Sequence, residues 1–129
     1  MAENKVYLTS HPGFEKAIPA ISERGFRVIL GERNYTAWQA AMREPLEAVI
    51  FFIESEQKIS VISGLQAARP NQRIIAILPD HKSYKQFGEL CLKAGAEAVL
   101  YQPYEPKGLA LIINKTGQIE EQRQKRRKG

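Results

Sequence analysis

The sequence lacks several features that would assign it to a class of protein at once. It has a single cysteine, Cys91, so no disulfide can form within the chain. No apolar run approaches the roughly 20 residues of a membrane-spanning helix, and the N-terminus has no basic-then-apolar signal pattern. No glycine-rich segment has the spacing of a phosphate-binding loop. These absences predict a cytoplasmic domain with no covalent cross-link and no nucleotide motif.

Positive charge is in surplus, but most of it lies at one end of the chain. The 129 residues have a formal net charge of +5, and residues 119–129 hold five basic and two acidic side chains. The other residues together are therefore close to neutral, which does not indicate that the folded part binds nucleic acid. We predict a folded domain over residues 1–118 and a basic helical extension or linker over 119–129. The extension is interpreted first as a solvated linker, and it is the one part of the chain where contact with nucleic acid stays open.

Five short apolar runs alternate with segments of helical periodicity. The runs are residues 5–9, 26–30, 48–53, 73–78 and 97–101. They are rich in Val, Ile, Leu and Phe throughout, as strands are when helices cover both faces of a parallel sheet. The pattern predicts an α/β fold with a doubly wound, five-stranded parallel sheet. This is a flavodoxin-like (βα)5 arrangement with strand order 2-1-3-4-5.

Side chains near the helix ends give local predictions. Asn34, Ser55 and Asp80 are each predicted to cap the helix that follows a strand. Helical spacing predicts the inward-facing side chains of helices 2, 3 and 4. They are Tyr35, Trp38 and Met42; Ile59, Ile62, Leu65 and Ala68; and Tyr84, Phe87, Cys91 and Ala94. At such a position Cys91 is expected to be a buried, inert thiol.

The candidate site lies at the carboxyl ends of the strands, where ligands of such sheets bind. The residues expected to meet there follow strands 1, 3, 4 and 5. They are Thr9, Ser10 and His11; Phe52, Ile53 and Glu54; Leu78 and Pro79; and Gln102 and Pro103. His11, His81, Asp80 and Glu54 could be imagined as metal ligands, but their spacing matches no ligand signature, so no metal is predicted.

Residues 93–109, KAGAEAVLYQPYEPKGL, resemble part of the receiver domains of two-component response regulators. Gly95 and Ala96 match the helix end of that family, Pro103 matches its Lys-Pro pair with a cis peptide, and Tyr104 matches its aromatic residue. With the five βα units, the resemblance extends to about residue 118. It implies a module of phosphorelay signalling.

The resemblance also implies a chemistry that this chain has lost. A working receiver holds Mg²⁺ with two acids after strand 1 and an aspartate after strand 3, and contacts the phosphoryl group with a hydroxyl and a lysine. Matched to the family, these places fall on Thr9-Ser10 or Ser10-His11; on Phe52, Ile53 or Glu54; on Leu78 or Pro79; and on Gln102. The switch aromatic falls on Val99.

We therefore predict a non-enzymatic pseudo-receiver that works without phosphorylation, cofactor or metal. Its partner would be another protein, a fused effector domain or a second copy of the chain. By resemblance, contact would use the surface of helix 4, strand 5 and helix 5, with Tyr101, Tyr104 and Lys107. Two alternatives stay open: an active receiver phosphorylated at a non-standard site, and a small flavodoxin-like ligand-binding protein.

Overall fold

The computed structural model describes residues 4–114, which form five parallel strands in one sheet. The strands are β1 (Lys5–Thr9), β2 (Arg27–Gly31), β3 (Ala48–Phe52), β4 (Ile74–Leu78) and β5 (Ala98–Tyr101). Their order is β2-β1-β3-β4-β5, with every neighbouring pair parallel. The predicted fold class and strand order are confirmed.

Helices follow the strands as the alternating pattern predicts. They are α1 (Phe14–Ser22), α2 (Asn34–Arg43), α3 (Ser60–Ala68), α4 (His81–Ala94) and α5, whose described part is residues 106–114. A short 3₁₀ turn, Glu56–Ile59, precedes α3. No helix in residues 4–114 is long and apolar enough to cross a membrane. The predicted boundary at 118 and the basic extension over 119–129 lie outside the described residues.

The sheet separates two apolar cores, one on each face. Side chains such as Val49 and Phe51 pack beneath α2, α3 and α4, whereas Leu8 and Ile50 pack beneath α1 and α5. Successive residues of a strand point to opposite faces, so each strand contributes to both cores. Interior strand β4 is buried along its whole length, whereas the edge strand β5 is half-buried throughout and the edge strand β2 has two exposed residues, Arg27 and Leu30. Helices therefore cover both faces of the middle of the sheet, and a binding site can form only at the ends of the strands.

Two of the three predicted helix caps are wrong. Helix α2 begins at Asn34 itself and has no side-chain cap, because the Asn34 amide hydrogen-bonds strand β3 instead. Ser55 precedes the 3₁₀ turn rather than an α-helix and makes no capping bond. The third prediction is confirmed, since an Asp80 carboxylate oxygen accepts a hydrogen bond from the Ser83 N–H at 2.6 Å.

The predicted inward faces of α2 and α3 need correction at one residue each. Tyr35 is 61% exposed, because Ala37 and Ala41 are the residues of α2 that are buried against the sheet. Small side chains on that face let α2 lie close to the strands and leave Tyr35 outside. Ala68 is exposed for a different reason, because it is the last residue of α3.

Arg73 ties together the amino end of the sheet, the end opposite the candidate site. Its guanidinium donates to Glu97 at 2.9 Å and to Glu47 at 3.0 Å, and to the carbonyl oxygen of Ile113 at 2.6 Å. The Arg73 side chain is only 18% exposed, so these contacts are shielded from water more than a surface ion pair is.

We expect Arg73→Met to lower the free energy of unfolding by about 2 kcal/mol, because two carboxylates and a carbonyl lose a shared, partly buried donor. Urea unfolding followed by circular dichroism measures the change. Arg24→Met, at an exposed position after α1, is the matched control and should shift stability by less than about 0.5 kcal/mol. Equal losses in both variants would contradict this role for Arg73.

Candidate functional site

His11 lies in the middle of the carboxyl end of the sheet, two residues after β1 ends, and is 5% exposed. Its Nδ1 atom is 2.7 Å from the Thr9 carbonyl oxygen, and its Nε2 atom is 2.6 Å from the Tyr104 hydroxyl. A carbonyl oxygen can only accept, so Nδ1 carries the proton of the neutral imidazole. The Tyr104 hydroxyl then donates to Nε2, and one hydrogen bond links the β1–α1 loop to the segment after β5.

Three aromatic rings pack around this imidazole. Phe52, the last residue of β3, stacks on His11 with ring centroids 5.7 Å apart and an interplanar angle of 24°. Phe14 and Tyr104 approach it at 6.4 Å and 5.6 Å. We call His11, Phe14, Phe52 and Tyr104 the aromatic cluster. It occupies the place where the ends of β1 and β3 meet the segment after β5.

The aromatic cluster is electrically neutral near pH 7. Burial lowers the pKa of the His11 imidazole below its ordinary value of 6.5, and this outweighs the opposite effects of the Thr9 hydrogen bond and the Glu15 charge. Burial also raises the pKa of Tyr104 to about 12, with a smaller contribution from Glu15. Both groups therefore keep their uncharged forms, which suit a site enclosed by rings.

Asn34 holds the end of β3 with two hydrogen bonds. Its Nδ2 atom donates to the Phe52 carbonyl oxygen at 2.7 Å, and its Oδ1 atom accepts from the Phe52 N–H at 3.0 Å. The side-chain amide thus pairs with Phe52 as a neighbouring strand would. Sequence reasoning missed this role because an asparagine before a helix is more commonly a cap.

Glu54 lies outside the aromatic cluster. It is exposed, and its carboxylate forms an ion pair with Lys58 one helical turn later. The carbonyl oxygen of Glu54 accepts from the Tyr84 hydroxyl at 3.3 Å. The acid nearest the end of β3 is therefore already matched with a cation at the surface.

Gln102 follows β5 and faces the β1–α1 loop. Its side-chain amide donates to the Pro12 carbonyl oxygen, and its backbone N–H donates to the Leu78 carbonyl oxygen at 2.9 Å. The Gln102–Pro103 peptide is cis, as the resemblance implied. The Gln102 side chain, which carries no charge, thus links the segment after β5 to the β1–α1 loop.

Thr9 holds an unsatisfied polar atom. The residue is 3% exposed, and its hydroxyl oxygen has no hydrogen-bond partner among the residues that the structure describes. Its neighbour Ser10 is half-buried and donates its backbone N–H to the Gly31 carbonyl oxygen at 2.8 Å. Buried hydroxyls without partners are uncommon in native proteins, so Thr9 is an exception among the buried polar side chains of the described residues.

Two clefts flank the aromatic cluster. The first, of about 510 Å³, lies between the loops after β1, β2 and β3 and includes Thr9, Arg33 and Tyr35 in its lining. The second, of about 690 Å³, lies between the loops after β1, β4 and β5 and includes Asp80 and Gln102. We call them the β2-side cleft and the β5-side cleft.

The remaining predicted site residues do not join the aromatic cluster. Ile53 and Leu78 are fully buried in the core beneath α2, α3 and α4, whereas the rings of the aromatic cluster pack against the core of the other face. Pro79 and Pro103 line the β5-side cleft. His81 packs edge-on against Tyr101 at 4.8 Å. Within residues 4–114, no three His, Cys, Asp or Glu side chains are grouped to hold a metal ion. Cys91 is buried, and burial raises its pKa to about 11, which keeps it a thiol.

Comparison with solved structures identifies the fold. A response regulator from Thermotoga maritima aligns with a TM-score of 0.75 and 20% identity over 88% of this chain and 97% of its own. A CheY-like receiver domain from Methanospirillum hungatei aligns with a TM-score of 0.77 and 14% identity, over 95% and 99%. The receiver domain of a Pseudomonas aeruginosa sensor histidine kinase, solved with a magnesium ion in its active-site cleft, aligns at 0.69 and 20%, over 88% and 97%.

These alignments show that the chain has the receiver fold, and the resemblance read from residues 93–109 is confirmed at that level. At such identities the likeness extends to the fold alone. No family model matches the sequence, and no curated protein matches it either.

We expect Asn34→Asp to lower the free energy of unfolding by about 1–3 kcal/mol at neutral pH, because a carboxylate cannot donate to the Phe52 carbonyl oxygen. A helix-capping asparagine would tolerate the same change, since Asp and Asn cap equally well. Chemical unfolding distinguishes the two roles. Asn71→Asp, in an exposed turn, is the matched control. A loss no larger than that of the control would contradict the strand-holding role.

Burial of His11 predicts a stability that depends on pH. Because its pKa is lower in the folded state, the unfolded chain binds more protons as the pH falls below about 6.5. The contribution of neutral His11 to the free energy of unfolding is therefore complete above about pH 6.5. It is lost as the pH falls from 6.5 to the lower pKa of His11 in the folded state. Unfolding measured from pH 7.5 to pH 5 should show a steeper decline for the wild type than for His11→Gln. Parallel curves would count against a buried, neutral His11.

Proposed function

We propose that this chain is a phosphorylation-independent pseudo-receiver, a cytoplasmic, non-catalytic module of the two-component type that binds a protein partner or a fused effector. The observation that carries the proposal is the stacking of Phe52 on His11, with the Tyr104 hydroxyl bonded to the same imidazole. By resemblance, this is the place where a working receiver gathers its acids and metal.

The side chains at this place do not fit Mg²⁺. Magnesium prefers hard oxygen ligands in near-octahedral geometry, and carboxylates supply them in phosphoryl-transfer sites. Thr9, Ser10 and His11 offer no carboxylate after β1, and the phenyl ring of Phe52 offers no ligand at all. Gln102 brings an amide where a lysine would neutralise the phosphoryl oxygens. The metal and the phosphoryl group would both lack their charged partners.

Glu54 does not restore the missing chemistry. Its carboxylate pairs with Lys58 at the surface, away from the stack of Phe52 and His11. An exposed ion pair of this kind contributes little stability, and it belongs to the first turn after β3 rather than to an enclosed pocket. Phosphorylation at Glu54 would require the metal ligands that the loop after β1 lacks.

The partner surface in this proposal is formed by α4, β5 and α5. Lys107 is exposed, Tyr101 is half-buried against α4, and Tyr104 directs its hydroxyl to His11. The two helices of this surface also expose Leu92, at 49%, and Leu111, at 46%. Exposed leucines beside aromatic and basic side chains suit a protein partner, including a second copy of the chain.

Incubation with acetyl phosphate and Mg²⁺, followed by intact-mass measurement, tests the proposal. We expect no adduct of about 80 Da, the mass of one phosphoryl group. A conventional receiver treated in parallel verifies the reagent. Phe52→Asp should also remain unmodified, because it restores the acceptor but not the acids or the lysine.

Phe52→Leu serves as the matched control for loss of the ring, and circular dichroism verifies that both variants fold. A Mg²⁺-dependent adduct on the wild type would establish an active receiver instead. An adduct on Phe52→Asp alone would mean that the rest of the pocket can still support phosphorylation.

A further inference from the structure

The hydrogen bond between His11 and Tyr104 joins two segments that lie 93 residues apart in the chain. The β1–α1 loop supplies the imidazole, and the segment after β5 supplies the hydroxyl. A second contact, from the Gln102 side-chain amide to the Pro12 carbonyl oxygen, joins the same two segments. An amide and a carbonyl do not titrate near neutral pH. Of these two contacts, the one between His11 and Tyr104 is therefore the one that a proton can change.

The charge of His11 decides whether this bond can exist in its present form. In the neutral imidazole, Nδ1 donates to the Thr9 carbonyl oxygen at 2.7 Å, and Nε2 accepts from the Tyr104 hydroxyl at 2.6 Å. A protonated imidazole has a donor on both nitrogens and no acceptor. The new proton on Nε2 would lie on the line to the Tyr104 oxygen, where the hydroxyl proton already lies. The bond as it stands cannot persist once His11 is charged.

The surroundings of His11 are unfavourable for a cation. The imidazole is 5% exposed and is packed among the rings of Phe14, Phe52 and Tyr104, none of which carries a charge near pH 7. A ring face attracts a cation, but burying a charge without a counter-charge costs more. Burial accordingly has the largest effect on the pKa of His11 and lowers it. Protonation therefore favours an arrangement in which the imidazole is less enclosed.

Glu15, on the first turn of α1, is the charged group that acts on both partners of the bond. It raises the pKa of His11 against the effect of burial, and it also raises the pKa of Tyr104. Glu15 is exposed, so a charged imidazole would approach it by moving outward. The other charged side chains around the aromatic cluster line the two clefts: Glu32, Arg33, Glu54 and Lys58 on one side, and Lys16, Asp80 and Glu105 on the other.

Tyr104 has room to leave the aromatic cluster. It lines the β5-side cleft of about 690 Å³, so its ring can turn into open space without displacing a core side chain. On the other side of the bond, His11 is followed by two exposed residues, Pro12 and Gly13. Strand β1 itself is paired with both β2 and β3. The movement would therefore be confined to a loop and one ring, and the sheet would stay intact.

We propose that His11 and Tyr104 form a proton-sensitive switch. A proton from solvent binds Nε2 of His11, the hydrogen bond from the Tyr104 hydroxyl breaks, and the tyrosine ring turns out of the aromatic cluster into the β5-side cleft. Tyr104 belongs to the proposed partner surface of α4, β5 and α5, so its release changes that surface. The regulatory use of the switch rests on the proposed function, whereas the switch itself does not.

NMR spectra of the full chain between pH 7.5 and pH 4 test the proposal. The imidazole C–H signals of His11 should titrate with a midpoint below 6.5, and the ring signals of Tyr104 should follow the same midpoint. Nuclear Overhauser effects between the Tyr104 ring and the rings of His11 and Phe52 report the closed form. One pH unit below the midpoint they should fall to about a tenth, as titration of a single proton requires. Circular dichroism verifies that the chain stays folded.

Variants assign the switch to its two partners. His11→Gln should abolish the pH transition of the Tyr104 ring, whereas His81→Gln, which removes the second histidine of the chain, is the matched control and should leave the transition unchanged. Tyr104→Phe keeps the ring and removes the bond. Its Overhauser effects to His11 should already be weak at pH 7.5 and should change little with pH, although His11 itself still titrates.

Three results would overturn the proposal. The first is persistence of the Overhauser effects after His11 is protonated, which would mean that the hydroxyl only reverses its direction. The others are unfolding of the chain before His11 titrates, and an unchanged Tyr104 transition in His11→Gln. None of these measurements involves phosphorylation. A phosphoryl adduct would remove the proposed function without altering the Overhauser effects, so the two failures are distinguishable.

Discussion

The position of the Phe52 backbone controls the carboxyl end of this sheet. Asn34 fixes that backbone through both its N–H and its carbonyl oxygen, and the ring stacks on His11. His11 in turn holds Tyr104, which follows the edge strand β5. Loops after β1, β2, β3 and β5 are thereby joined through neutral groups. In a low-dielectric setting, neutral hydrogen bonds and ring packing are stable without the counter-charges that buried ions require.

The two ends of β3 are held in the same way. At its start, Gln72 accepts from the Leu46 N–H at 3.1 Å and donates to the Leu46 carbonyl oxygen at 2.9 Å, as Asn34 does for Phe52 at the other end. In both places a side-chain amide takes the place of a missing strand. At the amino end of the sheet the partly buried contacts are ionic instead, since Arg73 joins Glu47 and Glu97. The buried contacts at the two ends of the sheet therefore differ: they are ionic at the amino end and neutral in the aromatic cluster at the carboxyl end.

The sequence predicts the periodic features of this structure and misses its long-range polar contacts. Apolar runs give every strand to within one residue, because burial on both faces produces a signal that local reading detects. The role of Asn34 depends on Phe52, 18 residues away, and the His11–Tyr104 bond spans 93 residues. No local pattern carries such partners. Helical spacing predicts an inward Tyr35, but it leaves open which stripe of α2 faces the sheet. The small side chains of Ala37 and Ala41 decide this, and Tyr35 lies outside.

Gly88 of α4 shows how the proposed partner surface is held in shape. A Cβ atom there would lie 1.9 Å from the Tyr101 hydroxyl oxygen, so the tyrosine ring fills the space that a side chain would need. Because Gly88 has no Cβ atom, α4 and the edge strand β5 pack closely together at Tyr101. A surface locked in this way loses little freedom when a second molecule docks. A partner would then bind without a change in the backbone of this surface, and selectivity would depend on how well the shapes of the two surfaces match.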